Sequence, residues 1–208
     1  ALGKHRFTDP DFAARTKWFA TTDALFAAPK GNDLPTDAQV IGAVDRNAGK
    51  ESIIMCAAGT MPGALHVLWR AAQGGYHMEY GFSCMGYEIA GAMGIKMALP
   101  QRDVICMIGD GSYMMANSEL ATAVTMGVPF TVVLTDNRGY GCINRLQVAT
   151  GGAPFNNLLR DSYHVNEANL DFVAHARAMG ANAVKVASIP DLEAELRRAK
   201  SATLPTVI

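Results

Sequence analysis

The chain has 208 residues, of which 50% are hydrophobic and 18% charged, and its formal net charge is −1. That size and apolar content suit a globular α/β domain with a sizeable core, and the near-neutral balance excludes the basic footprint of a nucleic-acid or anionic-membrane binder. Gly, Lys or Pro interrupts every apolar run before the ~18–20 residues of a membrane span, and the polar, basic opening over 1–11 lacks a secretory apolar stretch.

Residues 1–35 are mixed polar and helical, with Phe12, Trp18, Phe19, Leu25 and Phe26 at loosely helical spacing. They end in the turn-rich run Ala28-Pro29-Lys30-Gly31-Asn32-Asp33-Leu34-Pro35. This segment is expected to be a connecting arm from an upstream domain, and 36–208 to be the folded domain. Thr36 has the position of an N-cap for a helix through Val40, Ile41 and Val44. Beyond residue 52, apolar strands at 53–57, 103–108, 130–135, 183–186 and 206–208 alternate with helical patterns at 62–72, 86–98, 114–126, 170–179 and 191–201. Nearly continuous Val/Ile/Leu strands between helices predict an α/β fold, a doubly wound, mainly parallel sheet with helices on both faces.

Cys56, Cys84, Cys106 and Cys142 are widely spaced, with neither a Cys-x-x-Cys pair nor zinc spacing. Reduced thiols in a cytoplasmic protein are expected. Ala1 is not a natural start, and Pro205-Thr206-Val207-Ile208 reads as a strand just beginning. A piece of a longer protein, incomplete as a catalyst, is therefore expected.

In parallel sheets of this kind ligands bind beyond the carboxyl ends of the strands. Three loops qualify, after Ala57, Ile108 and Thr135. Gly109-Asp110-Gly111-Ser112 follows the second of these strands. Glycines around a carboxylate allow a tight turn, present backbone amides to a phosphate and set an oxygen ligand beside it. By itself this is also a common turn. The third loop, Asp136-Asn137-Arg138-Gly139-Tyr140-Gly141, adds the Asn137 side-chain carbonyl and the Gly139 backbone carbonyl. Together with Asp110 these make three oxygen ligands at adjacent strand ends, a set that suits magnesium shared with phosphate and water.

A Gly-Asp-Gly followed 27 residues after its Asp by Asn resembles the signature of the thiamine-diphosphate enzymes, which include acetolactate synthase and pyruvate decarboxylase. The resemblance implies that Asp110, Asn137 and Gly139 hold Mg²⁺, and that Gly109, Gly111 and Ser112, with Gly59 and Thr60 of the first loop, contact the diphosphate of thiamine diphosphate. The stretch from Ser83 to Gly94 is similar to the family's pyrimidine-side segment. Met85 matches the apolar wedge that bends the cofactor, and the backbone of Ser83 and Met85 is implied to read the pyrimidine edge. Met85 is also readable as ordinary core, since Met is a general gap-filler. The family's activating glutamate lies in a pyrimidine-binding domain of the same or a partner subunit. No Glu here matches it, Glu88 and Glu119 reading as structural helix residues.

Leu34-Pro35-Thr36-Asp37-Ala38-Gln39, Ala58-Gly59-Thr60-Met61-Pro62-Gly63, the segment Met78–Gly91 and Asp136–Ile143 resemble one branch, the trihydroxycyclohexane-1,2-dione hydrolases of myo-inositol catabolism. This implies hydrolytic C–C cleavage of a cyclic polyol dione to 5-deoxy-glucuronate by a homodimer or homotetramer. An acetolactate synthase or 2-oxo-acid decarboxylase acting on pyruvate shares every cofactor residue and remains the alternative, and a degenerate non-catalytic domain is a further one. Gly59-Thr60-Met61-Pro62-Gly63 lacks the third glycine of a nicotinamide-binding fingerprint. His77, Glu79, Tyr80 and Cys84 lie where they would face a substrate or serve the core. Arg138 and Arg145 flank the third loop, and Gly151-Gly152 with Asn156-Asn157 suggest a mobile loop closing over substrate.

Overall fold

The computed structural model describes residues 12–27, 33–70 and 72–208. His5 and most of the Ala28-to-Pro35 turn region lie outside the described residues. Six strands, β1 (Ile53–Cys56), β2 (Tyr76–Met78), β3 (Val104–Gly109), β4 (Thr131–Thr135), β5 (Asn182–Ala183) and β6 (Thr206–Val207), form one sheet in the order β2-β1-β3-β4-β6-β5. All pairings are parallel.

Alternate side chains of the strands feed two separate cores, which is why the strands read as unbroken apolar runs. Ile54 and Cys56 of β1, Ile105 and Met107 of β3 and Val133 of β4 pack against α2 (Asp37–Asn47), α3 (Thr60–Leu68) and α9 (Ile189–Ala199) through Ile41, Val44, Leu65, Leu192 and Leu196. Met55, Val104, Cys106, Ile108 and Val132 face the other way. They pack against α4 (Tyr87–Ala98), α5 (Asp110–Met115), α6 (Glu119–Met126) and α8 (Phe172–Ala178) through Ile89, Ala92, Tyr113, Leu120 and Ala176. The remaining helix of the domain, α7 (Gly141–Ala149), buries no residue.

Thr36 caps α2 through a reciprocal capping box, its hydroxyl accepting the Gln39 amide and the Gln39 side chain accepting the Thr36 amide at 2.9 Å. Residues 12–26 of the expected arm form α1 (Phe12–Phe26), which packs on α2. Gly42 makes this possible, because a Cβ there would stand 2.5 Å from that of Phe26. Arg70 secures the same helix through the Phe19 carbonyl at 3.0 Å and Asp23 at 2.8 Å.

Several expected elements shift. The helix placed at 114–126 is two helices, α5 and α6, broken at Ala116. α5 begins on Asp110, and its end is pressed against Gly86, where a Cβ would lie 3.2 Å from those of Met115 and Ala116. The strand placed at 183–186 starts one residue earlier and is two residues long, while Val184 and Val186 turn to the first core. β2 and α7 were not expected. β2 is a three-residue edge strand behind Gly74-Gly75, too short for an apolar run, and α7 lacks the buried stripe that marks an amphipathic helix.

Candidate functional site

The strand order reverses between β1 and β3: the chain leaves β1 for β2 on one side, and β3 to β4 builds the other. A crevice at such a reversal opens beyond the carboxyl ends of the strands. The loops after β1, β2, β3 and β4 converge there on a cleft of about 260 Å³. Its walls include all ten of the residues Gly59, Thr60, Ser83, Met85, Gly109, Asp110, Gly111, Ser112, Asn137 and Gly139. A second cleft, about 310 Å³, lies at the amino ends of the strands. Its cations are occupied by backbone: Lys96 donates to the Arg102 carbonyl at 2.7 Å, Arg102 to that of Glu51 and Lys200 to that of Asn47.

At the centre of the first cleft, Asp110 is 7% exposed. Oδ2 accepts the Gly139 amide at 2.9 Å, while Oδ1 is buried without a hydrogen-bond partner. Burial holds this carboxyl above the ordinary range and the Asp136 carboxylate adds to that. The Gly139, Gly111 and Asn137 amides pull in the other direction. An orphaned, buried carboxylate oxygen beside a side-chain amide and a backbone carbonyl is a donor set for a hard divalent cation. Two glycines make the close approach possible. A Cβ on Gly111 would stand 2.8 Å from the Tyr140 ring and 3.6 Å from the Gly139 carbonyl oxygen, and one on Gly141 would stand 2.9 Å from Asn137 Nδ2. Gly139 itself has φ 144°, and a Cβ there would strike the Asn157 carbonyl at 2.4 Å. Among the described residues there is no cluster of three His, Cys, Asp or Glu for a metal, so the oxygen set at Asp110 is distinct from a histidine or thiolate centre.

Thr60 opens α3 with a buried hydroxyl that has no partner. It meets the cleft from the first loop. Ser83 has φ 55° and its carbonyl accepts the Met85 amide at 3.1 Å, turning the half-buried Met85 onto the cleft wall. Glu79 folds this loop: its carboxylate accepts the Cys84 amide at 2.8 Å and the Phe82 amide at 3.3 Å. The Cys84 amide is the main reason its carboxyl sits below the usual range. His77 faces Tyr87, Nε2 to hydroxyl 3.3 Å. Tyr80 lines the cleft.

Arg138 pairs with Glu167 and is half exposed. The far end of the loop expected to be mobile is tied to the third loop. Tyr140 donates to the Asn157 carbonyl at 2.7 Å, and Leu159 to that of Arg138 at 3.0 Å. Sequence reasoning missed the apolar flank of the cleft, Ile143 and Leu146 of α7 with Cys142. Glu88, read from the sequence as a structural helix residue, is fully buried and bonded to Ser112.

A family model, thiamine pyrophosphate enzyme, C-terminal TPP binding domain, matches residues 57–208. The chain is 39% identical over 211 residues to 3D-(3,5/4)-trihydroxycyclohexane-1,2-dione hydrolase 2 of Bacillus cereus, covering 98% of this chain. It is 41% identical over 213 residues, again 98% of this chain, to 3D-(3,5/4)-trihydroxycyclohexane-1,2-dione hydrolase of Bacillus anthracis. It spans about a third of the length of these relatives, 33% of each. Among solved structures, the thiamine diphosphate-dependent 4-hydroxybenzoylformate decarboxylase of Rhodococcus jostii RHA1 shares the fold. Its TM-score is 0.75 at 24% identity, covering 88% of this chain and 33% of that one.

Proposed function

The chain belongs to the thiamine pyrophosphate enzymes through their C-terminal TPP-binding domain, and on that premise we propose that it is the diphosphate- and Mg²⁺-binding part of an enzyme hydrolysing a C–C bond in trihydroxycyclohexane-1,2-dione. The observation that carries the site is the unpartnered Asp110 Oδ1, buried where Asn137 and Gly139 line the same cleft. The dione is supported by relatives of that name at about 40% identity across nearly the whole chain.

When bound, thiamine diphosphate would supply a nucleophilic carbon and an electron sink for cleavage of a C–C bond beside a ketone. The chain's own residues bind and orient. Asp110, the Asn137 side chain and the Gly139 carbonyl hold Mg²⁺. Gly59, Thr60 and Gly109 to Ser112 receive the diphosphate. The Ser112 hydroxyl already donates to Glu88 at 2.7 Å, which leaves its backbone amide for that contact. Met85 would support the cofactor, Ser83 would lie at its pyrimidine side, and Ile143 and Leu146 would keep water from one flank. The activating glutamate comes from a pyrimidine-binding domain of the same or a partner subunit. The working form is a cytoplasmic homodimer or homotetramer serving myo-inositol catabolism, and the product is 5-deoxy-glucuronate.

The test uses the full-length protein with thiamine diphosphate and Mg²⁺, offered the trihydroxy dione and pyruvate in separate reactions. Acid formed from the dione alone is the expected result. Carbon dioxide and a keto-acid product from pyruvate would replace the hydrolase reading with a synthase or decarboxylase, leaving the cofactor site in place.

A further inference from the structure

Glu88 is fully buried in the first turn of α4, beneath the cleft rather than in it. Among the described residues it forms no ion pair with Lys, Arg or His. A buried carboxylate without a counter-charge is tolerated only when hydrogen-bond donors surround it. Here the Ser112 hydroxyl lies 2.7 Å from both oxygens, the Gly86 amide donates to one at 2.9 Å, and the Ala58 amide and that of Glu88 itself also face it. Gly86 further donates to the Ser112 hydroxyl oxygen at 2.7 Å, which closes the network.

These donors come from three different loops. Ala58 directly precedes Gly59 in the loop after β1. Gly86 directly follows Met85 and opens α4 with φ 92°. Ser112 lies two residues beyond Asp110 on α5. One side chain therefore joins the three segments that bring Thr60, Met85 and Asp110 to the same cleft. Each is next to, or part of, a segment that lines the cleft, while Glu88 itself does not line it. A local chain preference cannot set those three segments against one another, because they come from three strand ends.

Taking the cleft as the thiamine diphosphate site proposed above, we propose that Glu88 is a positioning residue that fixes the spacing of the Ala58–Thr60, Met85–Gly86 and Asp110–Ser112 segments before the cofactor arrives. Its function needs acceptors, and needs them at the length of a glutamate. Glu88→Gln converts one acceptor into a donor facing amide donors. Glu88→Asp keeps the acceptors and shortens their reach by one methylene. Both variants should still fill the core, but with the three segments out of register.

The experiment is isothermal titration of thiamine diphosphate with Mg²⁺ into the full-length protein and its Glu88→Gln, Glu88→Asp and Leu196→Ala variants, with a thermal melt of each cofactor-free protein. Leu196 is in the core on the opposite face of the sheet, away from the cleft. It reports what loss of stability alone does to binding. Glu88→Gln is expected to weaken cofactor binding about ten- to a hundredfold, as loss of an outer-shell partner does at metal sites. Leu196→Ala should lower the melting temperature and leave affinity unchanged. Should Glu88→Gln not fold, the same weakening is expected from Glu88→Asp. Wild-type affinity in either folded Glu88 variant, or an equal loss in Leu196→Ala, would overturn the positioning role. A wild-type protein that binds no thiamine diphosphate would overturn the cofactor reading itself, a result separable from the Glu88 comparison.

Discussion

The Gly139 amide donates to Asp110 Oδ2 at 2.9 Å across 29 residues of sequence, joining the ends of β3 and β4. The bond orients the carboxylate and leaves Oδ1 buried and unpaired. Asp110→Ala in the full-length protein should abolish Mg²⁺-dependent binding of thiamine diphosphate. The loss should exceed the roughly hundredfold upper cost of removing an outer-shell partner. Calorimetric titration with and without Mg²⁺ checks this, and unchanged binding would put the metal elsewhere.

Two glycines separate backbone geometry from helix propensity. Gly139→Ala puts a Cβ 2.4 Å from the Asn157 carbonyl oxygen at a φ of 144°. It should cost about 1–3 kcal/mol in chemical denaturation and weaken Mg²⁺ binding. Gly94 lies inside α4 with nothing within 4 Å of a Cβ. Gly94→Ala should instead stabilise by about 0.5–1 kcal/mol and leave Mg²⁺ binding alone.

The cysteines report on the cleft from outside and inside. Burial pushes the Cys56 thiol up to about 11 and Cys106 well above its ordinary value. Cys84 is exposed and Cys142 half-buried on the cleft wall. Brief alkylation of the native protein followed by peptide mapping should modify Cys84 and Cys142, with Cys56 and Cys106 labelled only after unfolding. Thiamine diphosphate with Mg²⁺ should protect Cys142. Unchanged labelling of Cys142 would mean that the cofactor does not enter by the α7 wall.

Glu88 should also leave a pH signature. Burial raises its carboxyl above the ordinary 4.5, against the lowering pull of the Ser112 hydroxyl and the Glu88, Gly86 and Ala58 amides. A carboxyl with a raised folded value binds its proton more tightly when folded. Its contribution to stability is full below the unfolded value and is lost as pH rises through the folded value. Cofactor-free wild type should therefore lose more stability than Glu88→Gln as pH rises from 4.5 towards neutrality. Asp37, Asp45 and Asp110 are raised as well and tilt both proteins alike. Parallel stability–pH curves for the two would show that Glu88 does not titrate differently on folding.

By itself the sequence determined the parallel α/β sheet and the loops that matter. A strand buried on both faces must be apolar at every position, and 104–108 is Val-Ile-Cys-Met-Ile. Gly111, Gly139 and Gly141 mark turns that a side chain would obstruct. The eight residues singled out from those loops line one cleft, together with Ser83 and Met85 from the Ser83–Gly94 segment. Other features needed the tertiary structure. β2 is held by pairing with β1 rather than by its own pattern. The break between α5 and α6 lies where Gly86 presses on Met115 and Ala116. Glu79 wraps its own loop, and Glu88 sits with no exposure beneath the cleft. The physical reason is common to these cases. Apolar periodicity is local and can be read along the chain, whereas the fate of a buried polar group depends on donors from segments that only folding brings together.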